Sequence, residues 1–200
     1  MKLNYKNDSS FFIYVKAPGS YFGIKEIANW FETSAMSRYR LIIDDELDSN
    51  YATIKQVDEY YPGVKSIGMV INPWARPVIA YHDLKQMDHP LTDIASGTFT
   101  EFINNLLKLK EEKTPYNPLS PQIDWVEYVD ADGNIHTADF IFKCETLDED
   151  FKVIQEYFEI DTPLTWLHTI PEYRSYYTDD TRQIIAEIFK KDIERFNYEF

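Results

Sequence analysis

The stretch Ile67-Gly68-Met69-Val70-Ile71-Asn72-Pro73-Trp74-Ala75-Arg76-Pro77-Val78-Ile79-Ala80-Tyr81 constrains the fold more than any other. Its apolar front half reads as a buried strand over 65–71, and an Asn-Pro turn then opens a helix from Pro73 to about Met87. Proline suits the first helical position, because the N–H it lacks would be unpaired there in any case. The same order occurs upstream. Residues 11–15 (FFIYV) read as a short strand, and Tyr21 to Phe31 as a helix with Ile24, Ile27, Ala28 and Phe31 on one face. Two strand–loop–helix units predict an α/β fold, a parallel sheet flanked by helices. Ligands of such sheets bind beyond the carboxyl ends of the strands. The loops Lys16–Ser20 and Ile71–Arg76 both follow strands, so they share one sheet edge if those strands are neighbours.

The rest of the chain fills in around this frame. Residues 40–43 fit a second strand, 44–50 an acidic loop, and Tyr51 to Tyr61 a helix stopped by Pro62-Gly63. Thr98-Phe99-Thr100-Glu101 is a capping box opening a helix to about Lys110. The Pro-rich stretch from Thr114 to Pro121 reads as a surface loop. Residues 123–129 and 135–142 alternate as strands joined by a turn at Asp130-Ala131-Asp132-Gly133-Asn134. Thr146-Leu147-Asp148-Glu149 forms a second capping box with a helix to about Phe158. Thr178 caps a final helix with Ile184, Ile185, Ile188, Phe189, Ile193 and Phe196 at helical spacing.

A chain of 200 residues suits one domain, 1–200, large enough to bury a core. It is 44% hydrophobic and 16% aromatic, which argues against disorder. No apolar run approaches the ~20 residues of a membrane span, and the N-terminus lacks a signal-peptide pattern. The lone Cys144 has no internal disulfide partner and reads as a small buried hydrophobe in a reducing, cytoplasmic setting. The net charge of -14 disfavours nucleic acid and anionic membrane as partners. An anionic ligand would need a locally positive pocket against that field.

Lys16-Ala17-Pro18-Gly19-Ser20 has the makings of such a pocket. After a strand and before a helix, a Gly-containing turn aims backbone N–H groups at an anion, the helix dipole favours negative charge, and the lysine adds a mobile donor. On pattern alone a plain structural turn is the alternative. It is not a Walker A loop, because the Gly-Lys-Ser/Thr end is missing.

Together, the two segments resemble those of the carbohydrate sulfotransferases, a family that uses 3'-phosphoadenosine-5'-phosphosulfate (PAPS). The family's loop after the first strand is similar to Lys16, Gly19 and Ser20, with Tyr21 in place of its final serine and Pro18 inserted. Its Val-Arg-Asn-Pro-Trp-Asp-Arg-Leu-Val-Ser-Ala-Tyr segment matches at Asn72, Pro73, Trp74, Arg76, Val78, Ala80 and Tyr81. Weaker similarity continues through 98–107, 138–151 and 167–181. The resemblance implies a P-loop-like sulfotransferase fold and sulfuryl transfer from PAPS to a hydroxyl acceptor, a carbohydrate among the candidates. It implies that Lys16 stabilises the leaving phosphate and that Gly19 and Ser20 hold the 5'-phosphosulfate.

The chain departs from the family where the cofactor's 3'-phosphate is bound: the family's arginine and serine are Ile71 and Ile79 here. Losing two or three charge-assisted hydrogen bonds would cost roughly 3–6 kcal/mol, about 10²- to 10⁴-fold in affinity. Arg76 and Arg174 are the cations that stand to replace them, with a structural ion pair as the alternative role of Arg76. A general base is not evident: carboxylates at Asp44, Asp45, Glu46 and Asp48 are candidates, as are His82 and His168, each also explicable as solvated or structural. Asp130–Asn134 begins like a calcium loop, but its twelfth position is Ile141, and no metal is expected. Two functions follow. One is a PAPS-dependent sulfotransferase acting on a small-molecule acceptor. The other is an inactive relative serving as a binding, accessory or virion component with a protein partner. Compact members of the family occur in bacterial viruses, so a virus-encoded chain fits either.

Overall fold

The computed structural model describes residues 11–16, 40–42, 53–60, 62–63, 65–86, 92–109, 120–159, 161–164 and 170–200. The expected helix 21–31, the acidic loop 44–50, most of the 114–121 loop, Gly19, Ser20 and His168 lie outside them. The chain divides into two compact units, one of 1–70 with 124–168 and the other of 71–123 with 169–200.

The first unit holds a four-stranded sheet with β1 Phe11–Lys16, β2 Arg40–Ile42, β3 Lys65–Val70 and β6 Phe140–Lys143 in the order β2-β1-β3-β6. Every pairing in it is parallel. This is the expected α/β arrangement. β3 is flanked on both sides, and from Ser66 to Val70 each residue is buried, which is why its sequence is a nearly unbroken apolar run. Helix α1 (Ile54–Tyr60) lies inside the expected 51–61 span and buries Ile54 and Val57. Gln56 and Thr53 cap its start reciprocally, each side chain accepting the other's N–H.

Two expected strands come out differently. Residues 123–126 form a helical turn, α4, and only Glu127–Val129 is strand β4. The Gln122 and Ile123 N–H groups donate to the Asp192 carboxylate at 2.7 and 2.9 Å, a cap supplied from far along the chain that favours a helical start. The expected strand 135–142 is split into β5 (Ile135–Thr137), antiparallel to β4, and β6 in the main sheet. The break falls where Ala138 N–H donates to the Val126 carbonyl and the Asp139 carboxylate takes the N–H and hydroxyl of Ser66. Lys65 pairs with the same carboxylate, and that ion pair raises the lysine's pKa.

The expected Thr146 capping box is also absent. Thr146 Oγ1 donates to Asp150 at 3.0 Å, and Asp150 takes the Lys143 N–H as well, so Asp150 organises this corner. Short helices α5 (Leu147–Asp150) and α6 (Lys152–Phe158) follow.

The second unit is helical. α2 (Ala75–Gln86) starts two residues later than expected, after a turn through Pro73 and Trp74. α3 (Phe99–Leu109) begins at the expected capping box, Thr98 and Glu101 exchanging hydrogen bonds. Those bonds hold the Glu101 carboxyl below its usual range. Thr178 caps α7 (Asp179–Ile188), its box closed by Thr181. The single final helix is interrupted at Phe189 and resumes as α8 (Lys190–Phe196), with Ile185, Phe189 and Phe196 buried along one stripe.

The β4–β5 turn is held by Asp130, which accepts from Asp132 N–H, Asn134 N–H and His136 Nε2, the last at 2.8 Å. Gly133 sits at φ 86°, where a side chain would be strained. Hydrogen bonds from His136 and then Asn134 hold the Asp130 carboxyl well below the usual range. A depressed carboxyl contributes stability above its unfolded value, ~3.9, and that contribution is lost as pH falls further. The amides of 130–136 are therefore expected to lose exchange protection on acidification below about pH 4, and Asp130→Asn should flatten that pH dependence. Equal profiles in both proteins would contradict the assignment.

Candidate functional site

The site is framed by the strand order. The chain runs from β1 to β2 on one side, then passes back to β3 on the other, so the direction reverses between β1 and β3. The carboxyl ends at such a switch point are where open α/β sheets place their ligands. Lys16 ends β1 in register with Met69, and Val70 ends β3 in register with Lys143 of β6. The Lys16 backbone thus lies at the carboxyl edge beside β3, the shared edge anticipated from the sequence. Gly19 and Ser20 fall outside the described residues.

The second unit holds the other candidates. Asn72 explains the Asn-Pro turn locally: its Oδ1 accepts the Trp74 N–H at 2.9 Å, its carbonyl accepts Ala75 and Arg76 N–H, and its Nδ2 donates to the Glu199 carbonyl. It is a helix cap and a tether in one residue. Trp74 is buried, its indole N–H donating to the Arg182 carbonyl and its own carbonyl accepting from Tyr177 Oη.

Ile71 and Ile79 are 1% and 4% exposed. Both backbone groups of Ile71 are taken by one side chain: Gln122 Oε1 accepts its N–H at 2.9 Å and Gln122 Nε2 donates to its carbonyl at 2.8 Å. Arg76 is fully buried in the first turn of α2. Its Nη1 donates to the Ser120 carbonyl at 2.7 Å, and the guanidinium lies 5.3 Å from the Phe189 ring centre. Asp192 is buried as well; desolvation pushes its carboxyl up, opposed by the Gln122 and Ile123 N–H groups and the Arg76 charge. Arg76, Ser120, Gln122 and Asp192 therefore form one internal polar network, with Ile71 clamped at its edge.

Arg174 is placed differently. It is exposed in a 3-10 turn over 174–176, its guanidinium 5.0 Å from the Tyr173 ring and 6.0 Å from Phe200. Glu172 accepts N–H groups from Arg174 and Ser175 and the Ser175 hydroxyl, which lowers its pKa. His82 is half-buried and bonded to Tyr176 Oη at 2.8 Å. Cys144 is buried, and desolvation pushes its thiol far up, leaving it inert.

Gln122 and Asp192 were not among the residues the sequence singled out. Asp192 had a signal: it stands between Phe189 and Phe196 in the buried stripe, where helical spacing calls for an apolar side chain. Gln122 had none, since its partners are backbone groups 51 residues away.

Among the described residues no three His, Cys, Asp or Glu side chains converge as a metal site, and no helix is long and apolar enough to cross a membrane. Searches of protein-family models, curated proteins and solved structures found no match to this chain.

Proposed function

We propose that this chain has a sulfotransferase-like fold reused for binding or assembly, and that it no longer uses PAPS. The observation that carries this is the state of Ile71 and Arg76. Position 71 corresponds in the resemblance to the arginine that grips the 3'-phosphate. Here it is an apolar side chain in the interior, with its backbone closed by Gln122. Arg76, the nearest replacement cation in sequence, is spent on Ser120, Phe189 and the field of Asp192. A phosphate dianion brought against Ile71 and Ile79 would be desolvated without compensation.

The test is incubation with PAPS and a mixture of hydroxyl acceptors, reading release of 3',5'-adenosine diphosphate. Release no faster than without protein is the expected result.

A second reading, an active sulfotransferase, is favoured by Lys16 at the carboxyl edge of β1 beside β3. In that reaction the bond from sulfur to the bridging phosphate oxygen breaks, a bond to the acceptor hydroxyl oxygen forms, and the acceptor proton passes to a base. On the resemblance, Lys16 with Gly19 and Ser20 would stabilise the departing phosphate. Release of the nucleotide product that disappears in Lys16→Ala would establish this reading and end the first.

A further inference from the structure

The β4–β5 hairpin carries an exposed apolar pair beside a strand edge that no described strand pairs with. Val129 and Ile135 are register partners, 63% and 67% exposed. By strand alternation they share a face with Glu127 and Thr137. The opposite face is occupied: Tyr128 and His136 stack with ring centres 4.6 Å apart, and Tyr128 Oη donates to Asp58 of α1 at 3.0 Å. The hairpin's inner face is therefore satisfied, while its outer apolar pair faces solvent.

The ladder geometry fixes what the edge offers. Asp130 N–H donates to the Asn134 carbonyl, and Ala138 N–H to the Val126 carbonyl. Bonded and non-bonded pairs alternate along an antiparallel ladder, so Val129–Ile135 and Glu127–Thr137 are the non-bonded pairs. Ile135 and Thr137 thus turn their N–H and C=O groups away from β4. Among the described residues no strand pairs with β5 on that side. Proteins usually blunt such an edge with short length, lysine, proline or a bulge, and β5 uses the first, being three residues long. The β5 sequence Ile-His-Thr contains neither lysine nor proline.

The charge of the hairpin itself has one sign. Residues 127–137 contain Glu127, Asp130 and Asp132 and no Lys or Arg, while the helix beneath carries Lys55 with Asp58 and Glu59 and so adds one net negative charge. Desolvation and the hydrogen bond to Asp58, followed by the charges of Asp58, Asp130 and Glu59, push the Tyr128 phenol up. Within the hairpin, His136 is already bonded to Asp130.

We propose that the β5 edge is a docking site for an extended, basic segment of a partner protein, which adds as a third strand with apolar side chains on Val129 and Ile135. Its cations would answer Asp130, Asp132 and Glu127. A second copy of this chain fits poorly, because each copy carries a net charge of -14 and the same acidic hairpin. The surface shares no residue with the Lys16 loop, so docking there does not depend on nucleotide binding.

The test uses the full chain and a seven-residue peptide alternating Lys and Val, followed by amide NMR and hydrogen exchange. The peptide is expected to shift the Ile135 and Thr137 amides and protect them from exchange. A Lys-Ser peptide of equal charge, and the Lys-Val peptide with N-methylated valines, should bind at least about tenfold more weakly. Ile135→Lys should weaken the parent peptide similarly. The methylated peptide keeps the test decisive even if that variant folds poorly. Equal binding of the three peptides, or shifts spread over the acidic surface without protection at Ile135 and Thr137, would overturn the proposal. So would self-association in sedimentation that Ile135→Lys abolishes, since the occupant would then be a second copy.

Discussion

Asp192→Ala is expected to destabilise the protein by about 3–5 kcal/mol. The carboxylate accepts two buried N–H groups, from Gln122 and Ile123, and balances the buried charge of Arg76. Alanine leaves both donors without their acceptor and takes a facing carboxylate from the buried guanidinium, and breaking one side of a buried charged network costs more than the network is worth as a whole. Asp192→Asn keeps one acceptor oxygen and should lose less. The pH dependence separates this residue from the surface carboxylates. Because burial raises its pKa on folding, Asp192 favours the folded state most below its unfolded value of ~3.9, and that increment is lost as pH rises through the higher folded value. Asp130, Glu101 and Glu172 run the opposite way. Urea unfolding of the wild type and both variants across pH checks this. An Asp192→Ala protein within about 1 kcal/mol of wild type would remove the network from the account.

The second large effect is expected at Gly68, in the middle of β3. A Cβ there would meet Val126 Cγ1 at 2.6 Å and Val126 Cβ at 3.3 Å. Real Cβ atoms do not approach that closely, so α4 or β3 must shift. Gly68→Ala should cost about 1–3 kcal/mol, lowering the melting temperature by about 2–4 °C per kcal/mol in a chain of this size. Val126→Ala removes the offending methyl. The double variant should therefore be more stable than the sum of the single effects by at least about 1 kcal/mol. Strict additivity would place the origin of the glycine elsewhere.

What could be read in the sequence follows from which interactions are local. β3 was legible because a strand buried on both faces is a run of apolar residues, and the turn after it because Asn72 caps its own neighbours within four residues. Thr98–Glu101 and Thr178–Thr181 are likewise local devices. The 123–142 region failed for the opposite reason. Its alternation suggested two strands, but Asp192 captures the first end and the Ser66–Asp139 contact cuts the second, and neither partner is near in sequence. Thr146 shows a subtler failure: the residue types of a capping box were present, but Asp150 competes for the same hydroxyl. Of the candidate site, the sheet edge at Lys16 was foreseeable from strand order alone. The burial of Arg76 was not, because a charged residue at a helix start is ordinarily solvated, and Ser120, Phe189 and Asp192, which help make the interior tolerable to it, are far along the chain.

Calorimetric titration with 3',5'-adenosine diphosphate beside 5'-adenosine monophosphate checks the proposed loss of a 3'-phosphate site. If Ile71 and Ile79 stand where the proposed correspondence puts the 3'-phosphate contacts, the extra phosphate gains no side-chain hydrogen bond and the two nucleotides should bind alike, each no tighter than about millimolar. Micromolar binding of the diphosphate, about 10²-fold tighter than the monophosphate and lost in Lys16→Ala, would contradict the claim and return the chain to the enzymes.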